Sequence, residues 1–386
     1  MTLYPHQKKF LESDNDYAIL CFETGTGKTF TADLWLEQKD RLRNAVVICP
    51  KQIRAEWKKA VPDGSVYSFE DFMKAEPPSN PSAIVVDEAD MMASPLFVAK
   101  SRSKRTEKFY NYVMANPKTH ILLLTATPVR STPWNMHTLL VLAKLVSPET
   151  WKAYREKYFE LRSMPYLPRP AWLPKKDWRK GMQHLINKYT HVALMSDIVD
   201  MPEETHDVIT IPEPNYEENE EWEPMAQFVA DHRREQVAKI PELENIIKGY
   251  RKTILVAHYT EQINELERIF SRKNTVFVLD GRTKDPSVVI AEAEADPECI
   301  LIIQASVAAG FELPSFSVMV FVSMGYSVRN YIQLIGRIKR INALKPVRYI
   351  YLLGGRCDKM VYKNVMAGKD FVPSQYLKYG VTKESK

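Results

Sequence analysis

Short, almost unbroken apolar runs recur along this 386-residue chain, separated by stretches whose apolar residues fall at helical spacing. YAILCF, AVVIC, AIVVD and HILLL occupy the first third, with TFTADLWLEQ, IRAEWKKA and TEKFYNYVMA between them. A run that is apolar at every position suits a parallel strand covered on both faces, and strand–helix alternation builds a parallel sheet. The pattern restarts near residue 205 with THDVITI, TILVAHY, TVFVLD, CILIIQ, VMVFVS and VRYIYLL, and with EQINELERIF, VVIAEAEA and YIQLIGRIKRI as helices. The fold class expected is therefore α/β, with parallel-sheet lobes in tandem over residues 1–132 and 205–386. Residues 133–204 read instead as a helical insertion and linker. Within it MPYLPRPAWLPKKDWRKG, rich in Pro, Trp and basic residues, reads as an irregular loop.

The apolar runs fall far short of the ~20 residues that cross a bilayer, and no leader is evident, so a soluble, cytoplasmic protein is expected. Four scattered cysteines form no C-x-x-C pair and no metal spacing, which argues against a disulfide framework or a zinc site. A net charge of +5 permits a polyanionic partner without requiring one. Glycine is scarce, at 13 residues, so Gly25 and Gly27, separated only by Thr26 in ETGTGKT, stand out.

That loop follows YAILCF and precedes a helix, the context in which backbone N–H groups cradle phosphates. Thr24, Gly25, Thr26 and Gly27 would form the cradle, Lys28 would place a cation on the β- and γ-phosphates of ATP, and Thr29 would hold Mg²⁺. Phe22 stands where the strict pattern G-x-x-x-x-G-K-[ST] has its first glycine; at a strand end a side chain is tolerated there. Downstream, AIVV ends in Asp87-Glu88-Ala89-Asp90. Asp87 at a strand tip would be a second metal contact, and Glu88 would orient and deprotonate the attacking water.

ETGTGKT, VVDEAD, LLLTATPVR and QLIGRIKR stand in the order of the motifs of helicase superfamily two, and the chain resembles the Swi/Snf-type branch of double-strand DNA translocases most closely. The resemblance implies two RecA-like lobes closing on ATP, and its lack of appended domains suggests a bacteriophage-type minimal enzyme. LYPHQKKF resembles an adenine-reading motif with Gln7 as the reader, although His6 replaces the more usual tyrosine. VVICPKQIRAEW, TILVAHYTEQINELERIF, LDGRTK and QASVAAGFELPSFSVMVFVS are similar to further motifs, with Glu312 where the branch usually has asparagine. The tetrad DEAD invites comparison with the RNA helicases named after it. TAT in place of SAT, and Gln333 in place of histidine, argue against that branch.

In YIQLIGRIKRI, Gln333, Gly336, Arg337 and Arg340 fall on one face of an expected helix, so Arg337 and Arg340 are candidate arginine fingers and Gln333 a nucleotide contact. The resemblance assigns Thr125 and Thr127 to coupling. Lys51, His258 with Tyr259, Arg282 and Ser306 are candidate nucleic-acid contacts, as is the run KSRSKRTEK. Trp172 and Trp178 with Lys175, Lys176 and Arg179 are either a duplex grip or ordinary packing. The expected function is a nucleic-acid-stimulated ATPase that translocates on duplex or branched DNA, as a monomer, remodelling it or displacing bound protein. Three alternatives stand beside it: a single-strand-tracking DNA or RNA helicase, a small-molecule kinase, and a non-catalytic ATP-gated binding module.

Overall fold

The computed structural model describes residues 3–23, 25–38, 41–96, 103–129, 133–163, 170–198, 203–216, 224–307, 311–339 and 345–368. The chain divides into two compact units, Met1–Asp200 and Met201–Lys386.

The first unit contains β1 (Tyr17–Phe22), β2 (Val46–Cys49), β3 (Ser65–Ser68), β4 (Ala83–Val86), β5 (His120–Leu124), β6 (Phe159–Arg162), β7 (Ala171–Pro174) and β8 (His191–Ala193). Six of them form a sheet in the order β3-β2-β4-β5-β1-β8, every pair parallel. Parallel neighbours need crossovers, so helices cover both faces. Alternate residues of the central strands accordingly enter two different cores. Ile19, Ile48, Val86 and Leu123 pack on one face with Phe72, Phe109 and Leu139. Leu20, Val47, Val85 and Leu122 pack on the other with Trp35, Trp57 and Phe10. Burial on both faces is why these strands read as unbroken apolar runs.

The second unit repeats the plan with β9 (Glu204–Thr210), β10 (Lys252–Ala257), β11 (Thr275–Leu279), β12 (Cys299–Gln304), β13 (Val318–Phe321) and β14 (Val347–Leu353). Their order is β11-β12-β10-β13-β14-β9, again all parallel. Each unit is thus a parallel-sheet α/β lobe, as the sequence led us to expect.

Three features differ from the sequence expectation. The short strands β3 and β8 have no apolar run to announce them. The proline-rich segment is not wholly irregular, since β6 and β7 pair antiparallel from Phe159–Pro174 to Arg162–Ala171. The segment 133–204 also ends in β8, which adds to the first sheet beside β1. All four cysteines are free and buried. Burial pushes the thiols of Cys21 and Cys49 up to about 12 and that of Cys299 to about 11.

Candidate functional site at the strand tips of the first lobe

In an open parallel sheet, ligands bind beyond the carboxyl ends of the strands. The structure places the expected residues of the first lobe there. The phosphate loop leaves β1, Lys51 leaves β2, Asp87 and Glu88 leave β4, and Thr125 and Thr127 leave β5.

The loop between Phe22 and the helix Lys28–Glu37 turns on two glycines with positive φ, Gly25 at 87° and Gly27 at 82°. Gly27 has a second constraint, because a Cβ there would lie 2.4 Å from Gln7 Nε2. Gln7 is 2% exposed, its Oε1 accepting from the Tyr4 N–H (2.9 Å) and its Nε2 reaching the Thr26 carbonyl (3.5 Å). In this structure the Gln7 amide thus braces the loop from behind, together with His6, whose ring nitrogen meets the same carbonyl at 3.0 Å. Thr26 donates its hydroxyl to the Glu23 carbonyl at 2.7 Å. Lys28 Nζ folds back to the Phe22 and Glu23 carbonyls at 2.9 and 3.3 Å, which holds the ammonium at the mouth of the loop. Thr29 follows in the first turn of the helix, half-buried, and Thr24 lies outside the described residues.

Asp87 is 4% exposed. Its Oδ2 accepts from the indole N–H of Trp57 (3.1 Å), and its Oδ1 from the Glu88 N–H (2.9 Å). Burial, reinforced by the neighbouring Glu88, pushes the carboxyl up to about 6, against the opposing pull of Lys28 and these hydrogen bonds. A carboxylate that is buried, held by two uncharged hydrogen-bond donors and raised in this way suits a divalent cation. The donor set of a carboxylate and the Thr29 hydroxyl is the hard oxygen chemistry that Mg²⁺ takes. Glu88 adopts φ 55° and ψ 47°, a left-handed conformation that costs a non-glycine residue on the order of 1 kcal/mol or more. That conformation turns the chain sharply between the two acids.

Asp90, 2% exposed, accepts from the Thr125 hydroxyl at 3.3 Å, and the same hydroxyl accepts from the Thr127 N–H at 3.0 Å. The β4 and β5 tips are thereby tied through side chains. Sequence reading missed the roles of Trp57 and Asp90. Both stood inside quoted motifs, but only their spacing was visible, not the partners that burial would demand.

In the second lobe, His258, Arg282 and Ser306 lie just beyond the ends of β10, β11 and β12, adjacent strands of one sheet. Gly281 donates to Gln304 Oε1 at 3.1 Å, joining two of those loops. Their side chains differ in availability. Ser306 is exposed. Arg282 is bound to the Asp280 carboxylate and to Asn264. His258 packs its ring against Tyr259 and Tyr326, and burial followed by the charge of His232 lowers its pKa to about 4. At neutral pH His258 is uncharged, so it offers phosphate no cation.

The helix expected to carry both arginine fingers spans Val328–Ile335 and stops at Gly336. Arg337 therefore sits in the turn beyond it, not on a shared helical face. Its guanidinium is buried, donating to the Phe311 carbonyl at 2.7 Å and lying over the Phe311 ring. Gln333 is also buried, with its Nε2 lacking a hydrogen-bond partner among the described residues. Arg340 lies outside the described residues. Of the basic run 100–108, Lys104 to Lys108 start a helix capped by Ser103, and Lys108 is spent on the carbonyls of Met73 and Ala75.

Also in the second lobe, His232, Glu235 and Asp358 bring ligand-type atoms within 4.8 Å of one another. The Lys239 ammonium already fills the cation's place, 2.6 Å from Asp358. Burial would raise Asp358, yet Lys239 and His232 hold it well below the usual carboxylate range. This is a structural ion pair rather than a metal centre.

Residues 238–342 match the family model described as helicase conserved C-terminal domain. No curated protein matches the chain. Among solved structures, the Sulfolobus solfataricus SWI2/SNF2 ATPase core in complex with dsDNA is similar, at 14% identity over 97% of this chain and 93% of that chain, with a TM-score of 0.43. No helix among the described residues is long and apolar enough to cross a membrane. The helicase C-terminal similarity thus falls within the second unit, and the phosphate-loop residues lie in the first.

Proposed function

We propose that this chain is an ATPase of helicase superfamily two, a motor that uses Mg-ATP to move along duplex or branched DNA, remodelling it or displacing bound protein. The observation that supports this reading best is the cluster at the first lobe's strand tips, where loop, strand-tip acids and the Thr125 link share one edge. Lys28 would exchange its two carbonyl contacts for phosphate oxygens. Thr29 and Asp87 would hold Mg²⁺, which when bound offsets charge on the β- and γ-phosphates. Glu88 would take a proton from the attacking water. The Asp90–Thr125–Thr127 link would carry the change at the γ-phosphate to the loop after β5. Arg337 and Arg340 take the charge-stabilising role in this reading, which requires Arg337 to exchange its bond to Phe311. Phosphate contact without base reading suits a motor that must step on any sequence, and Lys51, Arg282 and Ser306 are assigned to it.

ATP hydrolysis measured with duplex, forked and single-stranded DNA and with RNA tests the reading. Duplex or forked DNA should stimulate most; stimulation by single strands or RNA alone would replace it with a strand-tracking helicase. Glu88→Gln should lower turnover at least ~100-fold while ATP binding persists. Unchanged turnover in that variant would remove Glu88 from the chemistry.

A further inference from the structure

The helix Trp178–Tyr189 in the first lobe presents two unlike faces. Trp178 and Met182 are buried in the core, with Leu185, Ile186 and Tyr189 packed against it. The opposite face carries Arg179, Lys180, Gln183, His184, Asn187 and Lys188, all exposed. These residues recur in pairs every four positions, so they form one stripe along the helix. A solvated helix face ordinarily mixes both signs of charge, and paired signs at i, i+4 stabilise it. This stripe contains three cations, three uncharged hydrogen-bonding side chains and no carboxylate. Two of the cations stand in the first turn, where the helix dipole disfavours positive charge. Among the described residues no ion pair involves Lys180 or Lys188, and Arg179 and Lys188 rest on the rings of Trp178 and Tyr189 at 4.8 Å each. The ring contacts hold the two cations close to the helix surface rather than letting them trail into water. The stripe itself carries no negative charge to pair with these cations, and a polyanion would supply it.

Nearby charge is mixed but mostly of the same sign, since lysines outnumber the exposed carboxylates Glu156 and Asp177. The helix Trp151–Tyr158 exposes Lys152 and Lys157, and Lys175 and Lys176 precede the striped helix. Lys175 is anchored alongside the first of these helices through the Tyr158 and Glu156 carbonyls.

We propose that the outer stripe of helix Trp178–Tyr189 is a docking surface for the phosphate backbone of duplex DNA, separate from the strand-tip loops. From Arg179 to Lys188 the stripe runs ~13 Å along the axis, about four phosphates of one strand. Arginine and lysine neutralise phosphates, and glutamine, asparagine and histidine donate to their oxygens without reading bases. The surface would keep the chain on its track while the nucleotide site is empty. The proposal rests on the DNA-motor reading for its partner.

The test is binding of a fluorescent 20-base-pair duplex to the full chain across a salt series, comparing the parent with Arg179→Gln/Lys180→Gln/Lys188→Gln. Loss of three phosphate contacts should flatten the slope of log affinity against log salt by about 2.7 and weaken binding at least ~10-fold near 100 mM salt. Lys180→Arg/Lys188→Arg should keep the parental slope, which separates lost charge from lost folding. An unchanged slope in the triple variant overturns the proposal. So does a parental preference for RNA, or for anionic phosphatidylserine vesicles, over duplex DNA. ATPase activity of the parent is measured alongside. If DNA fails to stimulate it yet the triple variant loses slope, the motor reading falls and the docking surface stands.

Discussion

At the scale of single residues, the two acids at the tip of β4 behave differently although they are adjacent. Asp87 is buried against Trp57, while Glu88 is turned aside by its left-handed backbone. A carboxyl raised to about 6 binds a proton in the folded chain over a pH range where the unfolded chain has already lost it. Folding stability therefore falls as pH rises from about 4 to 6, and the ionised Asp87 above that range is a cost that a bound cation offsets. Two pKa units correspond to on the order of 3 kcal/mol as an upper figure. Asp87→Asn should raise the apparent melting temperature of the ligand-free chain at pH 7.5 and remove that pH dependence, while abolishing Mg-dependent hydrolysis. A parent whose melting temperature rises between pH 4 and 6, with the rise lost in Asp87→Asn, would contradict the burial argument.

Among the elements, the strands declared themselves by sequence in proportion to their burial. β1, β2, β4 and β5 are covered on both faces and so read as apolar runs, and β10, β12 and β13 repeat this in the second lobe. β3 and β8 are short edge strands with mixed composition, and pairing rather than pattern makes them strands. The helix at Val328–Ile335 was legible but its end was not, because Gly336 inside a periodic run is compatible with either continuation or a cap. The phosphate loop and the acids were legible because their chemistry demands a fixed spacing. Trp57 was visible only as a letter after a strand; that its helix, Arg54–Ala60, delivers an indole N–H to Asp87 needed coordinates. Trp57→Phe keeps most of the packing and removes that donor. It should move the acidic limb of the ATPase pH profile upward, with a loss of kcat/KM several-fold at pH 6.5 that narrows by pH 8.5. A uniform loss at all pH values would assign Trp57 to packing alone.

For the whole molecule, each unit has its own sheet and its own pair of cores, and the contact clusters do not mix. The alternation of strand and helix, restarted once, was enough to expect two lobes. The residues of a two-lobed engine were expected from both halves, but the second-lobe candidates are more deeply committed to their own lobe than the pattern suggested: His258 neutral, Arg337 buried, Gln333 buried. A fragment of residues 1–200 should unfold in one cooperative urea transition and bind ATP. Its hydrolysis should not respond to DNA. DNA-stimulated turnover by that fragment would place the whole engine in the first lobe.

The burial of all four native thiols has a practical consequence for watching this protein at work. Maleimide dyes attack thiolates, and Cys21, Cys49 and Cys299 are both inaccessible and held far from ionising at neutral pH. A cysteine placed at exposed Lys152 and another at exposed Glu298 would therefore take up a donor and an acceptor fluorophore in the otherwise native chain. If the proposed motor moves one unit against the other, energy transfer between the two should change with each ATP cycle, one molecule at a time, without removing a single natural cysteine; a constant signal under turnover would count against that motor.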